Sequence, residues 1–445
     1  MPELDNAGAL RASLVVVGAG PAGLAAALAA AQAGVDVVLL DAAPGAGGQI
    51  WRARRGLAVE PVARALRRLA RAGVRVLTGT RVVLPLPDRT LLLDGPAGAQ
   101  RLHWARLVLA TGARERLLPF PGWTLPGVFG AGGLQALVKG GWPVRDRRVL
   151  VAGTGPLLLA AAATLRREGA RLVGLVEEAR PAALARFTGA LVGHPGKALQ
   201  AVRLGASLAG VPWFAGWRVV AAQGDGRVEQ IVIEEGGRTR TIACDALAAG
   251  WGLIPQTELG QSLGCVVAPR FGADALAVDA SQRTNISGVF AVGECSGVAG
   301  VVAAQLQGEI AGRVSAAELL SAPLPSPDLA HRLAREHAFA EAVSTTFAPP
   351  PAWRDRLRDD TLVCRCEDVT WSALRDHADM RSAKLATRCG MGHCQGRLCH
   401  DTLASLMHWP RLPVRPPLSP APLATLLALS GHSPDTPTAP EEKTQ

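Results

Sequence analysis

The chain has 445 residues, a formal net charge of +10 at pH 7, and 49% hydrophobic against 19% charged residues. This length predicts about three folded units, and the apolar content excludes a disordered chain. The basic residues are scattered arginines without interleaved aromatic residues, which argues against nucleic-acid binding, and an acidic protein partner or an anionic membrane surface explains the charge equally well.

A glycine-rich turn between two apolar strands opens the chain. Residues 14–17 lead into Gly18-Ala-Gly20-Pro-Ala-Gly23, an Ala/Leu-rich helix follows, and a second strand ends at Asp41. Gly18 permits the tight turn, Gly20 lets the backbone approach a pyrophosphate, and Gly23 lets the helix pack close to the strand. Asp41 suits hydrogen bonds to ribose hydroxyls. The segment therefore predicts a dinucleotide site.

The cellular location is predicted from the same segment and from the cysteines. Residues 13–35 carry no charge and have the hydropathy of a membrane span or a signal peptide. The glycine spacing, and the acids Glu3 and Asp5 in place of a basic leader, argue against both. Five of the eight cysteines crowd into residues 364–399, which favours metal ligands over disulfides and predicts a reducing cytoplasm.

Three later segments are predicted to return to this dinucleotide. They are GAGGQ at 45–49, a strand that ends at Thr111-Gly112, and a strand that ends at Gly293-Glu294. Glycine turns let the backbone lie close to a ligand. A carboxylate at Glu294 can approach the ribityl chain and pyrophosphate of a flavin, and the helix N-terminus near Gly300 can favour a reduced, anionic ring.

A second strand–turn–helix, at 149–178, has a broken version of the same motif. Gly153 and Gly155 are present, but Leu158 stands where the third glycine is expected. A branched side chain there would push the helix from the strand or fill the place of the dinucleotide. A working NAD(P) site, a structural remnant and a site for another adenine nucleotide all remain open.

The rest of the chain is predicted from shorter patterns. The segments 213–222, 228–234 and 239–243 alternate and are separated by glycine turns, so they predict an antiparallel meander. Residues 322–358 are rich in Pro, Ala and charge, and are predicted to be a linker with one helix. The chain from Pro410 onward is Pro-rich, and its last 15 or so residues are predicted to be disordered.

The cysteine-rich module begins with Cys364-Arg-Cys366, continues through a predicted helix at 370–377, and ends in Cys394-Gln-Gly-Arg-Leu-Cys399. A C-x-C pair and a C-x4-C pair can supply four thiolates to one centre, and such sites hold either zinc or an iron–sulfur cluster. Cys389 also stands in C-x4-C relation to Cys394, so the ligand set stays open on spacing alone. His393 and His400 are interpreted as structural, since the leading C-x-C offers no C-x-H pair of the kind found in Rieske centres.

The remaining cysteines predict no redox dithiol. Cys244, Cys265 and Cys295 are isolated and are interpreted as small buried hydrophobic residues. No C-x-x-C or C-x4-C pair follows the first nucleotide unit, which argues against a thioredoxin- or glutathione-reductase mechanism.

Taken together, these motifs resemble the flavoprotein subunit of the opine oxidase, hydrogen cyanide synthase and D-hydroxyproline dehydrogenase complexes. The resemblance covers nearly the whole chain and rests on VVGAGPAGLAAA with GGQIWR, LATGARERLLPFPGWTLPGV, AGTGPLLL, GWGLIP with TELGQSLGC, AVGE, and VCRCEDVT with GMGHCQGRLC. It implies an α/β flavoprotein with two Rossmann-like dinucleotide-binding domains of the glutathione-reductase type. It also implies a small C-terminal cysteine-rich domain similar to the [2Fe–2S] domain of bacterioferritin-associated ferredoxin.

The resemblance also implies cofactors and their ligands. FAD contacts carry over onto Gly18, Gly20, Gly23, Asp41, Gly48, Gln49, Thr111, Gly112, Gly293 and Glu294. Cluster ligands carry over onto Cys364, Cys366, Cys394 and Cys399, which leaves Cys389 outside. The family shares the AGTGPLLL sequence, so NAD(P) or another adenine nucleotide stays an open cofactor.

The implied domains follow the chain in order. They are the first part of the FAD-binding domain (1–125), an NAD(P)-binding-like domain with the meander (126–277), the second part of the FAD-binding domain (278–321), the linker (322–360), the [2Fe–2S] domain (361–409) and a Pro-rich, partly disordered tail (410–445).

The implied function is an FAD-dependent oxidoreductase that serves as the electron-transferring component of a multi-subunit, dye-linked amino-acid or opine dehydrogenase. A partner FAD-dependent subunit would oxidise the amine, with room for a further small iron–sulfur subunit. The complex is expected in the cytoplasm, free or at the inner face of the membrane, without a transmembrane segment. The alternatives are a self-sufficient NAD(P)H-dependent reductase of a ferredoxin-like partner and a zinc-stabilised assembly subunit without redox turnover.

Overall fold

The structure is a computed structural model that describes residues 10–54, 56–324, 326, 328–349 and 351–429. The strands are β1 (Leu10–Val17), β2 (Val37–Leu40), β3 (Arg75–Leu77), β4 (Arg81–Leu86), β5 (Thr90–Gly95), β6 (Gly98–Leu109), β7 (Ala113–Glu115), β8 (Val128–Gly130), β9 (Arg148–Gly153), β10 (Arg171–Glu177), β11 (Trp213–Ala215), β12 (Arg218–Gln223), β13 (Gln230–Glu235), β14 (Arg238–Ala243), β15 (Ala246–Gly250), β16 (Leu253–Pro255), β17 (Val267–Arg270), β18 (Ala273–Leu276), β19 (Val289–Ala291), β20 (Leu362–Cys364) and β21 (Val369–Thr370).

The helices are α1 (Pro21–Gln32), α2 (Glu60–Arg71), α3 (Ala131–Lys139), α4 (Pro156–Arg167), α5 (Pro181–Val192), α6 (Pro195–Ser207), α7 (Glu258–Ser262), α8 (Val301–Leu320), α9 (Asp328–Thr346), α10 (Met380–Thr387), α11 (His400–Met407) and α12 (Leu423–Leu427). Two 3₁₀ helices, Gly293–Ser296 and Pro351–Arg356, precede α8 and follow α9.

The first sheet brings together strands from distant parts of the chain. Its order is β3-β2-β1-β6-β5-β4, and β19 also pairs with β6. The pairs β3–β2, β2–β1, β1–β6 and β6–β19 are parallel, whereas the pairs β4–β5 and β5–β6 are antiparallel. Because β19 returns to β6, the turn after β19 lies at the same sheet edge as the turn after β1.

Most strands of this sheet match the sequence patterns, with two differences. β6, whose end is the strand expected before Thr111-Gly112, already begins at Gly98, and no pattern in the sequence predicts β5. The core of β5 is a run of three leucines whose lack of alternation hides its strand character. A turn at Asp88 and Arg89, both with positive φ, joins it to β4.

The second sheet is parallel and has the order β11-β10-β9-β15-β8. Beside it, β12, β13 and β14 form the predicted antiparallel meander. Trp213–Ala215 is a correction to that prediction, because it pairs in parallel with β10 instead of starting the meander. The chain breaks direction at Gly216, where φ is +84°. The two sheets confirm the predicted α/β class with two dinucleotide-binding units.

The helices α1 and α8 pack with their backbones almost in contact. A Cβ at Gly308 would lie 2.1 Å from the carbonyl oxygen of Ala22, and a Cβ at Gly312 would lie 2.4 Å from that of Ala26. Both glycines belong to α8, and the facing residues of α1 are alanines. The N-terminus of α1 therefore lies about two turns into α8, beside the first sheet.

The C-terminal part of the chain folds onto this core. The predicted linker carries α9, as expected. The predicted helix at 370–377 is wrong, since the region forms turns and the helix begins at Met380, where the side chain of Asp379 accepts a hydrogen bond from the backbone of Ser382. Residues 410–429 lie against the first sheet, with the Leu418 N–H donating to Val83 O. The predicted disorder at the end of the chain falls on 430–445, outside the described residues.

A membrane-spanning helix is not found among the described residues, since none of those helices is both long and apolar enough to cross a bilayer.

The contact between α1 and α8 yields the first prediction. We expect Gly308→Ala to destabilise the fold by about 1–3 kcal/mol, because the added methyl group overlaps the Ala22 carbonyl. Urea unfolding followed by circular dichroism measures the change. Gly205→Ala in α6 is the control: no atom lies within 4 Å of its Cβ position, so it is expected to be neutral or stabilising by up to about 1 kcal/mol. Equal changes in the free energy of unfolding of the two variants would contradict the close approach of α1 and α8.

Candidate functional site

The first glycine turn is shaped by two contacts of its own backbone. Gly18 has φ of +109°, and a Cβ there would lie 2.2 Å from Ala110 O. A Cβ at Gly23 would lie 1.8 Å from Gly18 O. Gly20 differs, since its φ is −74° and only the Cα of Gly48 comes within 4 Å of its Cβ position, at 3.9 Å. Packing explains the first and third glycines, whereas the space around Gly20 is open.

Asp41 ties the end of β2 to this turn. Its carboxylate accepts hydrogen bonds from Ala19 N at 2.7 Å and from Ala43 N at 2.8 Å. The backbone of Gly47 also donates to Ala19 O. The acid therefore holds the glycine turn in shape, and it is half-buried at the mouth of the turn.

The other residues of the predicted flavin site surround the same turn. A Cβ at Gly48 would lie 3.0 Å from the Cα of Gly20, and a Cβ at Gly293 would lie 2.8 Å from the Cβ of Ala22. The Gly293 N–H donates to Gln307 Oε1 at 2.9 Å. Gln49 is at the rim and accepts a hydrogen bond from Arg52.

Thr111 and Gly112 form one wall of this region. Thr111 Oγ1 donates to Gln256 O at 2.7 Å, and Gln256 Nε2 donates back to Thr111 O at 2.9 Å. No atom lies within 4 Å of the Cβ position of Gly112. The backbone there is anchored on one side and accessible on the other.

Glu294 is a partly buried acid in the 3₁₀ helix that precedes α8. Burial raises the pKa of its carboxyl group, and a hydrogen bond from the Gly300 N–H opposes that shift. Cys295 beside it is fully buried, as predicted for the isolated cysteines, and so are Cys244 and Cys265. Thus the structure brings the ten predicted flavin residues around one turn, between the N-terminus of α1 and the segment that leads into α8.

The second glycine turn resembles the first at its first glycine and at its acid, but its second glycine, Gly155, has φ of +106° where Gly20 has −74°. A Cβ at Gly153 would lie 1.8 Å from Gly250 O. Glu177, at the end of β10, accepts hydrogen bonds from Thr154 Oγ1 at 2.6 Å and from Gly155 N at 3.0 Å. Burial raises the pKa of Glu177, against the lowering effect of these hydrogen bonds.

Leu158 packs in the core beneath α4. The side chain is 1% exposed, and a Cβ at Gly250 of β15 would lie at the ordinary contact distance of 3.6 Å from its Cδ2 atom. Leu158 is therefore part of the buried core of the second unit, together with residues of α3, β9 and β15.

The linker lies over the second turn instead. The Cβ of Phe347, just after α9, is 3.7 Å from the Cβ position of Gly155, and Gly155 is buried. Phe347 also packs edge-on against Phe187 of α5, at 5.1 Å between ring centroids. In a nucleotide-binding turn, the position of Gly155 is where the backbone approaches the pyrophosphate. Here an aromatic side chain of the same chain covers it.

An enclosed ion pair fixes the linker on this unit. Arg356 and Glu178 form a salt bridge at 2.7 Å with side chains only 2% and 5% exposed. The guanidinium of Arg356 lies 3.8 Å from the ring centroid of Trp353, and Trp251 Nε1 donates to Glu178 Oε1. Breaking such a pair leaves an uncompensated buried charge, so the linker is firmly held. Neither Phe347 nor Arg356 lies in a motif that predicts this role.

Three of the five clustered cysteines converge in the core of the C-terminal module. The Sγ atoms of Cys364, Cys389 and Cys399 all lie within 4.8 Å of one another, and all three residues are buried. Hydrogen bonds from Cys389 and Cys399 hold the pKa of the Cys364 thiol well below its usual range. A thiolate is the form that binds a metal.

Cys366 and Cys394 lie together outside that group. Cys366 is exposed, Cys394 is partly exposed, and the two are joined by backbone and side-chain hydrogen bonds. The predicted set of four is thus split between the two groups, and Cys389 takes a place in the buried one. Thiolate bonds of about 2.3 Å put neighbouring sulfurs of a tetrahedral site about 3.8 Å apart, so the buried group has suitable spacing for a sulfur-ligated metal.

His400 packs inside the cysteine loop. A Cβ at Gly390 would lie 2.0 Å from His400 Nε2, and a Cβ at Gly396 would lie 2.3 Å from its Nδ1. Burial lowers the pKa of His400 to about 4. The ring is a packing element between two glycine turns.

Arg114 joins the module to the two nucleotide-binding units. It lies on β7, which pairs with β16 in a two-stranded connection. Its guanidinium contacts Glu258 of α7 at 2.7 Å and Asp401 of α11 at 2.5 Å, and its Nε donates to Arg397 O. The module is further attached by the Trp123 Nε1–H, which donates to Leu362 O. These contacts are not visible as a sequence motif.

Comparison with known proteins gives consistent results. Residues 12–308 match the family model described as pyridine nucleotide-disulphide oxidoreductase. Hydrogen cyanide synthase subunit HcnB of Pseudomonas aeruginosa is 34% identical over 86% of this chain and 90% of its own. An opine oxidase subunit of Rhizobium meliloti is 32% identical over 93% of this chain and 98% of its own. The crystal structure of L-proline dehydrogenase from P. horikoshii superposes with a TM-score of 0.67 and 19% identity, over 94% of this chain and 79% of that one, which shows a shared fold.

The role of Arg114 can be tested by Arg114→Met, which leaves Asp401 and Glu258 without this partner. We expect a loss of about 2–3 kcal/mol, between the cost of breaking an exposed and a buried ion pair. Urea unfolding measures the loss, and hydrogen exchange at residues 397–407 should increase. Arg64→Met is the control, because Arg64 pairs with Glu60 on an exposed face and should cost less than about 1 kcal/mol. If both variants lose a similarly small free energy of unfolding, Arg114 does not hold the module to the two nucleotide-binding units.

Proposed function

The chain belongs to the pyridine nucleotide-disulphide oxidoreductase family and is an FAD-dependent oxidoreductase, and from this we propose that it is the electron-transferring subunit of a heteromeric dye-linked amino-acid or opine dehydrogenase. The observation that carries the proposal is the contrast between the two glycine turns. The first is open at Gly20, and the second is covered at Gly155 by Phe347. Reducing equivalents would then arrive from a protein partner and not from NAD(P)H.

In this proposal, the first unit binds FAD. The open backbone at Gly20 would receive the pyrophosphate, and the N-terminus of α1 would offer it N–H groups and partial positive charge. The N-terminus of α8, near Gly300, would favour a reduced, anionic flavin ring. Asp41, already held by Ala19 N and Ala43 N, presents its remaining acceptor capacity to a ribose. Glu294 lies at the α8 end of the same region.

The cysteine module is proposed to hold a [2Fe–2S] cluster. Its support is the group of three buried sulfurs at Cys364, Cys389 and Cys399, with the pKa of the Cys364 thiol lowered by its sulfur neighbours, in a module joined to the rest of the chain through Arg114. When bound, FAD takes up two electrons and a [2Fe–2S] cluster passes on one at a time, so a chain with both can convert between the two modes. We also propose that the chain is divided into the six parts that the family resemblance implies.

Substrate chemistry is assigned to a partner. The relatives named above are subunits, of hydrogen cyanide synthase and of opine oxidase. We infer that this protein's complex contains an FAD-dependent subunit that oxidises a small amine or amino acid, together with a further small iron–sulfur subunit. We place the complex in the cytoplasm or at the inner face of the membrane.

The proposed source of electrons is tested by anaerobic mixing of the purified protein with NADH and with NADPH. We expect no prompt bleaching of flavin absorbance, because Phe347 covers the pyrophosphate position at Gly155. Dithionite is the control that shows the flavin to be reducible. Prompt bleaching by either nucleotide would replace the proposal with a self-sufficient NAD(P)H-dependent reductase. Co-purification should meanwhile recover an amine-oxidising subunit.

The FAD site is tested by Gly20→Ala. Its φ of −74° suits any residue and its Cβ position is free of clashes, so stability should be nearly unchanged. The methyl group would stand where the pyrophosphate approaches, and we expect FAD affinity to fall about tenfold, or about 1.4 kcal/mol. Flavin content and fluorescence titration measure this.

Gly193→Ala serves as the matched control, with φ of −75° and no atom near its Cβ position. Unchanged FAD affinity in Gly20→Ala would refute the site. Gly23→Ala provides a contrast, since its Cβ would strike Gly18 O at 1.8 Å and lower stability as well.

A further inference from the structure

Cys389 lies in the buried thiol group although motif matching leaves it outside the ligand set. Its Sγ is 3.8 Å from that of Cys399, and the two residues are 0% and 1% exposed. We propose that Cys389 is a fifth thiol of the metal site and can replace Cys399 as a ligand. This inference rests on the proposed metal-binding role of the module and concerns which sulfurs serve it.

The spacing of the sulfurs is the first support. The distance between Cys389 Sγ and Cys399 Sγ equals the separation of about 3.8 Å between neighbouring thiolates on one tetrahedral metal. Both sulfurs also lie within 4.8 Å of Cys364 Sγ. A metal bound to Cys364 on this side can therefore be reached by either sulfur.

The packing of the loop is the second support. The segments that carry Cys389 and Cys399 are held together by the His400 ring, which lies against both Gly390 and Gly396. Cys389 and Cys399 also belong to the buried core of the module, together with Leu403. The two candidate ligands are thus carried by segments that this packing already holds side by side.

Cys394 has no such substitute in the described part of the module. It lies with Cys366 on the exposed side, and neither joins the group of mutually close sulfurs. The geometry therefore distinguishes the two cysteines of the C-x4-C pair. Cys399 has a neighbour that can replace it, whereas Cys394 does not.

The exchange is balanced in charge and involves no redox change. The bond from the metal to the Cys399 sulfur breaks and that thiolate takes up a proton. The Cys389 thiol gives up a proton and its sulfur forms the new bond. The number of thiolates on the metal is the same before and after.

The test compares four variants of the full-length chain with the wild type, namely Cys389→Ala, Cys399→Ala, Cys394→Ala and the double variant Cys389→Ala/Cys399→Ala. Iron, zinc and acid-labile sulfide are measured per chain, together with visible absorbance and the electron paramagnetic resonance spectrum after reduction. Flavin content and far-ultraviolet circular dichroism report whether each variant has folded. The wild type is expected to hold about two iron and two sulfide ions per chain.

We expect Cys389→Ala and Cys399→Ala each to keep more than about half of the wild-type iron, with an altered resonance spectrum in Cys399→Ala. The double variant and Cys394→Ala should lose most of it. If Cys399→Ala retains as little iron as the double variant, Cys389 is not a substitute ligand and the inference is overturned. The inference is equally overturned if Cys389→Ala retains as little iron as Cys394→Ala, because Cys389 is then an obligatory ligand.

Failure of the proposed cluster can be told apart from failure of this inference. Zinc in place of iron and sulfide in the wild type would exclude the [2Fe–2S] assignment and indicate a zinc-stabilised module. The same comparison among the variants then tests the fifth thiol through zinc content, with the same pattern of retention and loss expected.

Discussion

The close contact between α1 and α8 is the constraint on which the first nucleotide unit depends. Two glycines of α8 face carbonyl groups of α1 at distances that no side chain would allow. Since α1 follows β1 and α8 follows the turn after β19, this contact joins the beginning of the chain to a segment nearly 300 residues later. It sets the start of α1 against the middle of α8 and so fixes both helices, with the turns that precede them, on one side of the first sheet.

The two nucleotide units share a glycine-turn motif but differ in what surrounds it. In both, an acid at the end of the second strand accepts hydrogen bonds from the glycine turn, through Asp41 in one and Glu177 in the other. The first acid is half-buried at an open mouth, whereas the second is enclosed beneath the linker. The units therefore differ both in the turn, at Gly155 and Leu158, and in the linker segment that lies over the second turn.

The sequence predicts the local turns of this protein well and the contacts between segments far apart in the chain poorly. Spacing identifies Gly18 and Gly23, because each meets a backbone atom of its own unit. Spacing also shows that Leu158 breaks the motif, but not that its side chain packs in the core beside β15. Composition alone predicts the linker, and composition carries no information about where Phe347 and Arg356 dock. Likewise, motif order separates Cys389 from the predicted ligands, while packing around His400 brings it beside Cys399.

The return of residues 410–429 to the first sheet has a consequence for association between molecules. β4 is the last strand in the order of that sheet, and unpaired edge strands can pair with other chains. The Leu418 N–H donates to Val83 on this strand, and Arg81 donates to Pro420 O. A proline-rich segment has few N–H groups to offer a further strand. The tail therefore shields an edge that would otherwise invite aggregation, and a chain cut near residue 410 would lose that protection while keeping both nucleotide units.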